Sequence, residues 1–282
     1  MGKLKKRKRD NMRRIFIIQI LLLLTVVLTK IFATSQTPDI LIYKGDTLSL
    51  FANPLEQLYG NDSTRPKYFG KREACMNTAC WRGYQAEWKI IDNQLYLTGI
   101  YSCCYYEDKI KADLKELFGN KCINGTVKAD WVTGKLIAPK GKLIYYIHMG
   151  YDSFYESELE FEFAKGQLIE TKTYDNSKSR QSIYSKDEEK LKEFIYSNIN
   201  WTDLPKTDKL IKVFIRFAAN EKGIVDDVKV MRGYDSIYDK EAVRVVKAIP
   251  EWDVFFRRGK LERTYWTLPV IFSAENKEKH KK

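Results

Sequence analysis

The sequence is poor in the residues that build extended stalks and linkers. Its 282 residues include seven prolines and fifteen glycines, which excludes a collagen-like repeat, a proline-rich stalk and a long glycine-serine linker. Hydrophobic residues make up 44% of the chain and charged residues 30%, a balance that supports a packed core and excludes wholesale disorder. The length predicts one large domain or two ordinary ones.

Histidine is also scarce, and neither of the two histidines has the neighbours that catalysis requires. His148 falls in an apolar run and His280 in a charged tail. The chain has no G-x-S-x-G, H-E-x-x-H, P-loop or G-x-G-x-x-G pattern. Glu158, Glu160 and Glu162 alternate with apolar residues, a period that predicts the solvated face of a strand. We therefore expect a protein that is not an enzyme and uses no cofactor.

The net charge of +12 comes mainly from the two ends of the chain. Residues 1–35 hold nine Lys or Arg and one acid, and a basic tail over residues 275–282 holds four Lys and two Glu. The part between them is close to neutral, whereas nucleic-acid binding requires a basic face on a folded domain. We therefore expect no nucleic-acid partner.

Residues 1–35 have the layout of an export signal. Eight basic residues within the first fourteen precede a mainly apolar run over residues 15–33. A cleaved signal peptide is one interpretation, because Ala33 and Ser35 are small residues with the spacing of a cleavage site. An uncleaved signal anchor is the other, since nineteen residues at ~1.5 Å each just span the membrane core. Both place the rest of the chain outside the cytoplasm, with membrane contact through residues 15–33 if they are retained.

The five cysteines are therefore expected in an oxidising compartment. Cys75 and Cys80 form the easiest local disulfide, whereas a bridge between the adjacent Cys103 and Cys104 would be strained. The odd number leaves at least one thiol free or paired between chains. Buried thiols are an alternative, and a zinc site is a third, but the spacing lacks the paired C-x2-C of such sites. We predict no metal.

The exported part divides into two predicted domains. Residues 39–182 predict a β-rich domain of no recognised family, with a hairpin formed by residues 84–91 and 94–101 around Asp92-Asn93. Helical spacing predicts one helix over residues 107–118. Further strands are expected over residues 143–149, 158–163 and 168–174. The expected architecture is a β meander with one helix, and the polar stretch 175–182 marks the boundary to a second domain, residues 183–274.

The second predicted domain has the order helix, hairpin, helix, strand. The expected elements are a helix over residues 187–198, strands over 212–219 and 224–231, a helix capped by Asp239 and ended by Pro250, and a strand over 264–272. Gly223 supplies the turn between the first two strands. This order predicts helices on one side of a small antiparallel sheet, so we expect an α+β protein.

Residues 191–272 resemble the C-terminal domain of TonB-type proteins. The matching stretches are KVFIRFAANEKGIVDDVKVMRG, YDKEAVRVVKAIPEW, RRGK and LPVIF. Gly223 occupies the turn, Asp239 begins the helix, and Pro250 and Trp252 end and staple it. The chain departs from TonB transducers in two ways, since residues 15–33 contain no histidine and no proline-rich linker follows.

The resemblance implies a non-catalytic role in the periplasm of a Gram-negative bacterium. Such domains bind a short extended peptide of an outer-membrane transporter by adding it to a sheet edge, while a motor complex in the inner membrane supplies force. An outer-membrane transporter or another envelope protein is the expected partner, together with an inner-membrane motor complex. The alternative is a secreted or periplasmic module that binds a glycan or peptide, in which the TonB-like domain is a scaffold.

The last strand locates the expected docking edge. Pro269 has no N–H, so the side of the strand to which its main chain points is predicted to be unpaired. Tyr265, Thr267 and Ile271 share that side, because alternate residues of a strand point their main-chain groups the same way. We predict that these three residues bind the partner strand, and the alternative is a purely structural edge.

Overall fold

A computed structural model describes residues 35–60, 65–72, 75–206 and 209–280. They belong to one compact unit that begins at Ser35 and has the predicted α+β class. The export segment predicted for residues 1–35 lies outside the described residues, apart from Ser35. Within the described ranges no helix is long and apolar enough to cross a membrane.

A mixed sheet of nine strands forms the N-terminal part, and seven of them lie side by side in the order β2-β1-β3-β4-β9-β8-β7. The strands are β1 Asp39–Tyr43, β2 Asp46–Leu50, β3 Tyr84–Ile91, β4 Gln94–Ser102, β5 Cys122–Ile123, β6 Thr126–Lys128, β7 Gly134–Tyr145, β8 Phe154–Ala164 and β9 Gln167–Asp175. The predicted hairpin is present as β3–β4. The predicted simple meander is wrong, because β1 pairs with β3 in parallel and β4 lies beside β9.

The sheet curves around a hydrophobic core. Its outer strands approach each other, since the Phe51 N–H just after β2 donates to the Ile137 carbonyl of β7 at 2.7 Å. Tyr84 and Trp88 of β3 and Phe161 of β8 are fully buried inside this curve. Each such side chain contributes about 1.5–3 kcal/mol through the water-exposed surface it loses.

The helices of the N-terminal part are short. Among the described residues, the helices are α1 Glu56–Tyr59, α2 Tyr105–Asp108, α3 Leu114–Phe118, α4 Ile183–Lys186, α5 Glu188–Ser197, α6 Ser236–Lys247 and α7 Ala274–His280. The single helix predicted over residues 107–118 is wrong, because Lys109 takes a left-handed backbone (φ 54°) that ends α2. Asp113 then begins α3 by accepting hydrogen bonds from the N–H groups of Lys115 and Glu116.

A second, three-stranded antiparallel sheet has the order β11-β10-β14. Its strands are β10 Ile211–Ala219, β11 Val225–Arg232 and β14 Trp266–Phe272, and a separate hairpin joins β12 Phe256–Arg257 to β13 Lys260–Leu261. Val213, Ile215 and Phe217 of β10 are fully buried in a second core with Val245 and Val246 of α6. The strand alternation therefore directs one face of β10 toward the helix.

The polar stretch predicted as a domain boundary is partly buried and bound to the C-terminal part. Arg180 and Val254 exchange two main-chain hydrogen bonds, at 2.8 and 3.0 Å. The Ser182 N–H donates to Asp253 Oδ1 at 2.6 Å, and the Ser179 hydroxyl accepts from the Phe256 N–H at 2.8 Å. Residues 179–182, which follow the N-terminal sheet, are thus hydrogen-bonded to residues 253–256 of the C-terminal part, and we call this connection the clamp.

The predicted solvated face of β8 is wrong for two of its three glutamates. Glu158 and Glu160 are only 7% and 3% exposed. Glu160 forms an ion pair with Lys135 at 2.7 Å. Glu158 Oε2 accepts from the Asn176 amide at 2.9 Å and from the Arg258 N–H, at the tip of the β12–β13 hairpin, at 2.6 Å. Glu158 is buried because the hairpin lies against it, and Glu160 because Lys135 of β7 and Tyr174 of β9 flank it. The strand period alone does not reveal these contacts.

Replacing Glu158 with alanine is expected to lower the free energy of unfolding by about 2–3 kcal/mol. The change leaves the Arg258 N–H and the Asn176 amide without their shared charged acceptor. Urea unfolding measures the loss. Glu162→Ala is the matched control, since Glu162 is more exposed on the same strand, and its loss should stay below about 1 kcal/mol. Equal losses in the two variants would contradict a stabilising role for the hydrogen bonds that Glu158 accepts from Asn176 and Arg258.

Candidate functional site

Strand β14 lies at an edge of the three-stranded sheet. Opposite residues in its ladder with β10 include Arg216 and Thr267, and Phe214 and Pro269. The Ile271 carbonyl accepts a hydrogen bond from the Asn276 amide of α7 at 3.1 Å, so it points away from β10. Main-chain directions alternate along a strand, and Thr267 and Pro269 therefore also direct their main-chain groups to the outer edge.

Tyr265 lies just before β14 and is tied across the exposed face of the sheet. Its hydroxyl donates to Asp227 Oδ2 at 2.9 Å, and the Arg216 guanidinium carbon lies 3.8 Å from its ring centroid. These contacts join the residue before β14 to both other strands of the sheet, since Arg216 belongs to β10 and Asp227 to β11. They fix the chain's direction where it enters β14.

The three predicted docking residues therefore differ in their surroundings. Tyr265 and Thr267 are exposed, as is Pro269. Ile271 is half-buried, and α7 already occupies its carbonyl. The open part of the edge thus runs from Tyr265 to Pro269. A docking role for these residues stays a prediction.

The turn residue Gly223 lies between β10 and β11. Its φ of 83° is in the left-handed region, and a Cβ there would come within 2.9 Å of Glu251 Cγ. Its carbonyl accepts from the Trp252 N–H at 2.8 Å. Only glycine fits both the backbone conformation and this close approach.

The helix cap predicted at Asp239 is wrong. Helix α6 begins at Ser236, and Asp235 is the cap, because its side chain accepts from the N–H groups of Ile237 and Tyr238 at 2.9 and 3.1 Å. Asp239 lies in the first turn and accepts instead from the Tyr234 N–H at 2.9 Å. Both aspartates precede the apolar face, and the extended backbone of Asp235 decides between them.

The residues predicted to end α6 lie just beyond it. Pro250 follows the cap residue Ala248. Trp252 is buried, with its ring 4.8 Å from that of Phe217 and 5.8 Å from that of Trp266. Trp252 thereby joins the end of the helix to both β10 and β14.

The predicted Cys75–Cys80 disulfide is wrong. Cys75 bonds to Cys104 and Cys80 to Cys103, with Cα separations of 5.6 and 6.0 Å, and Cys122 is a buried free thiol. The β3–β4 hairpin explains the pairing, because the cysteines that follow β4 come back beside the segment that leads into β3. The sequence favours a local bridge because the true partners are far apart along the chain and only the folded hairpin brings them together.

A buried polar cluster in the N-terminal core escaped the sequence analysis. Asp39 and Arg82 are fully buried as a pair, with 3.4 Å between Arg82 Nη2 and Asp39 Oδ1. Asp39 also accepts from the Ala86 N–H at 3.1 Å and the Trp88 indole at 3.0 Å. Burial raises the pKa of Asp39 to about 6, against the lowering effect of Arg82. The sequence does carry a signal for this cluster. Asp39 lies two residues before Leu41, so strand alternation places its carboxylate on the same inward face of β1.

A cleft of about 480 Å³ lies between the N-terminal sheet and the β12–β13 hairpin. Phe51 and Tyr151 stack on one wall with ring centroids 4.9 Å apart. Glu158 and Arg258 contribute opposite charges to the lining. The cleft combines an apolar wall with polar groups, as small-ligand sites do.

In the described part of the chain, no three His, Cys, Asp or Glu side chains are grouped to hold a metal ion. Comparison of the sequence and structure with protein-family models, curated proteins and solved structures finds no match.

Proposed function

We propose that the protein is a non-catalytic component of the cell envelope that docks an extended segment of a partner protein along the outer edge of β14. The single observation that carries the proposal is the outward direction of the main chain at Thr267 and Pro269, on an exposed edge strand. An edge of this kind leaves N–H and C=O groups that an added strand satisfies. The resemblance to TonB-type domains favours an outer-membrane transporter as that partner.

The hydrogen-bonding groups of the open edge set the expected strength of docking. Tyr265 and Thr267 each offer one N–H and one C=O, and Pro269 offers only its C=O. At about 0.5–1.5 kcal/mol net for each bond, these groups support a weak and reversible complex. Tight binding would require additional side-chain contacts.

The disulfides support an export role. Both join the segment before β3 to the end of β4, and such bonds form and persist in oxidising compartments. Together with the export signal predicted for residues 1–35, they favour the periplasm. An inner-membrane attachment through residues 15–33, and contact with a motor complex, belong to the same proposal.

A photoreactive amino acid at position 267 is expected to cross-link in cells to the N-terminal segment of an outer-membrane transporter. The same group at Lys229, on the opposite edge strand β11, is the positional control and should give no such product. Mass spectrometry identifies the cross-linked peptide. A transporter peptide captured equally from both positions, or from neither, would contradict docking on β14.

A matched pair of variants isolates the main-chain contribution. Thr267→Pro removes the outward N–H but leaves the ladder to β10 intact, so binding of the captured peptide should fall about tenfold. Thr267→Ala keeps the N–H and should bind as the unchanged protein does. Calorimetry with the synthetic peptide measures both, and equal affinities would exclude strand addition.

The cleft beside Phe51 favours a second candidate function, the binding of a glycan or peptide. The stacked Phe51 and Tyr151 rings offer a flat apolar wall on which a sugar or an apolar side chain could lie. Thermal-shift measurements with glycan and peptide libraries test this candidate. A ligand that stabilises the unchanged protein but not Phe51→Ala would support it.

A further inference from the structure

The C-terminal helix α7 lies along one end of the docking edge. The Asn276 side-chain amide donates to the outward-pointing Ile271 carbonyl at 3.1 Å. The phenol of Tyr196, on α5, also hydrogen-bonds the Ile271 main chain and the Asn276 amide. The chain thus satisfies by itself the main-chain group that comes next after Pro269 on the outer edge.

Few contacts hold α7 in this position. The helix has seven residues, and among them only the His280 side chain is packed away from water: it is 6% exposed, and its ring lies 5.8 Å from that of Tyr196 on α5. Its start is capped by the Ser273 hydroxyl, which accepts from the Asn276 N–H at 3.1 Å. Near its end His280 Nδ1 lies 3.6 Å from Glu193 Oε2 of α5. A helix this short is marginal by itself, so its place at the edge depends on these few contacts of Asn276 and His280.

We propose that α7 is an intrachain competitor of the docking strand, a step that rests on the proposed function. With α7 in place, an extended guest segment can pair only with the stretch from Tyr265 to Pro269. When Asn276 leaves the Ile271 carbonyl, the guest can donate an N–H to that oxygen and extend its ladder by two residues. Pro269 makes this carbonyl important, because its missing N–H leaves a gap in the ladder just before it.

The occupant that this edge fits is an extended peptide segment with a free N–H opposite Ile271. The competition is for one acceptor, since Asn276 and the guest cannot both donate along the same direction. Asn276 therefore sets the length of strand that docks, and the partner's sequence must avoid proline at that position.

The test measures the cross-linking yield from position 267 in cells, in full-length chains that differ only in α7 or its cap residue Ser273. Asn276→Ala removes the competing donor, and the yield of transporter cross-link should rise about fivefold, the effect of one hydrogen bond. Ser273→Ala weakens the cap of α7 and should raise the yield in the same direction. Glu278→Ala changes an exposed residue of the same helix and should leave the yield unchanged.

The outcomes separate the competition from the docking function. A cross-link of equal yield in the unchanged protein, Asn276→Ala and Ser273→Ala overturns the competition but leaves docking in place. A lower yield in Asn276→Ala also overturns it, because α7 would then assist the guest. Absence of any transporter cross-link in every chain, Asn276→Ala included, overturns the docking function and the competition together.

Discussion

Replacing Arg82 with alanine is expected to lower the free energy of unfolding by about 3–5 kcal/mol. Arg82 and Asp39 are fully buried as a pair, so the variant leaves a carboxylate in the core without its counter-charge. The guanidinium also donates to the Thr37 carbonyl at 2.9 Å, and this bond is lost as well. Unfolding in guanidinium chloride at pH 7 measures the loss of free energy.

A surface pair provides the control. Lys172 and Glu170 are 2.7 Å apart, but their side chains are 43% and 49% exposed. Lys172→Ala should therefore cost less than about 1 kcal/mol, because water screens the pair. A similar small loss in Arg82→Ala would show that the buried pair contributes little to stability.

The cost of Arg82→Ala should depend on pH. Burial raises the pKa of Asp39 from 3.8 to about 6, so the folded state holds the proton more tightly than the unfolded state. This contribution to stability is complete below pH 3.8 and is lost as the pH rises to about 6, a change on the order of 3 kcal/mol. Without Arg82 the pKa rises further and the loss continues past pH 6. The free energy of unfolding that Arg82→Ala loses, relative to the unchanged protein, should therefore be roughly 1 kcal/mol larger at pH 7 than at pH 5.

Removal of both disulfides is expected to lower the free energy of unfolding by about 5–6 kcal/mol, more than twice the effect of removing either one. The bridges are nested, with sequence separations of 29 and 23 residues. Closing one loop of this length contributes about 3.5 kcal/mol, and the second bridge closes only short additional segments, for about 2 kcal/mol. Each single removal should therefore cost only about 2 kcal/mol.

Three variants measure this difference: the double replacement of Cys75 and Cys104 by alanine, that of Cys80 and Cys103, and all four together. Guanidinium unfolding gives the three free energies. Cys122→Ala is the control for the loss of a cysteine without a bridge, at about 1 kcal/mol. If the variant that lacks all four cysteines is no less stable than the two double variants, the nested bridges do not stabilise the fold by closing these loops.

Elements with a regular local pattern could be predicted from the sequence. The β3–β4 hairpin follows from Asp92 and Asn93, which both adopt the left-handed backbone that a tight turn requires. The β10–β11 turn follows from Gly223. These features depend on neighbours within a few residues, which is the range over which strand and turn preferences act.

Features that depend on distant partners could not be predicted. Glu158 is buried because a hairpin one hundred positions later in the chain lies against it. The disulfide pairing depends on how far the β3–β4 hairpin returns the chain. In the candidate site, Pro269 was sufficient to identify the outer side of the last strand, but the contact of Asn276 with Ile271 joins two elements whose packing no local pattern specifies.

The clamp formed by residues 179–182 also determines how tension travels through the molecule. A pull on β14 reaches the β12–β13 hairpin within a few residues, and Glu158 fastens the tip of that hairpin to β8. Arg180 and Val254 add a second fastening beside it. A load on the C-terminal sheet would therefore be shared between these two sets of hydrogen bonds.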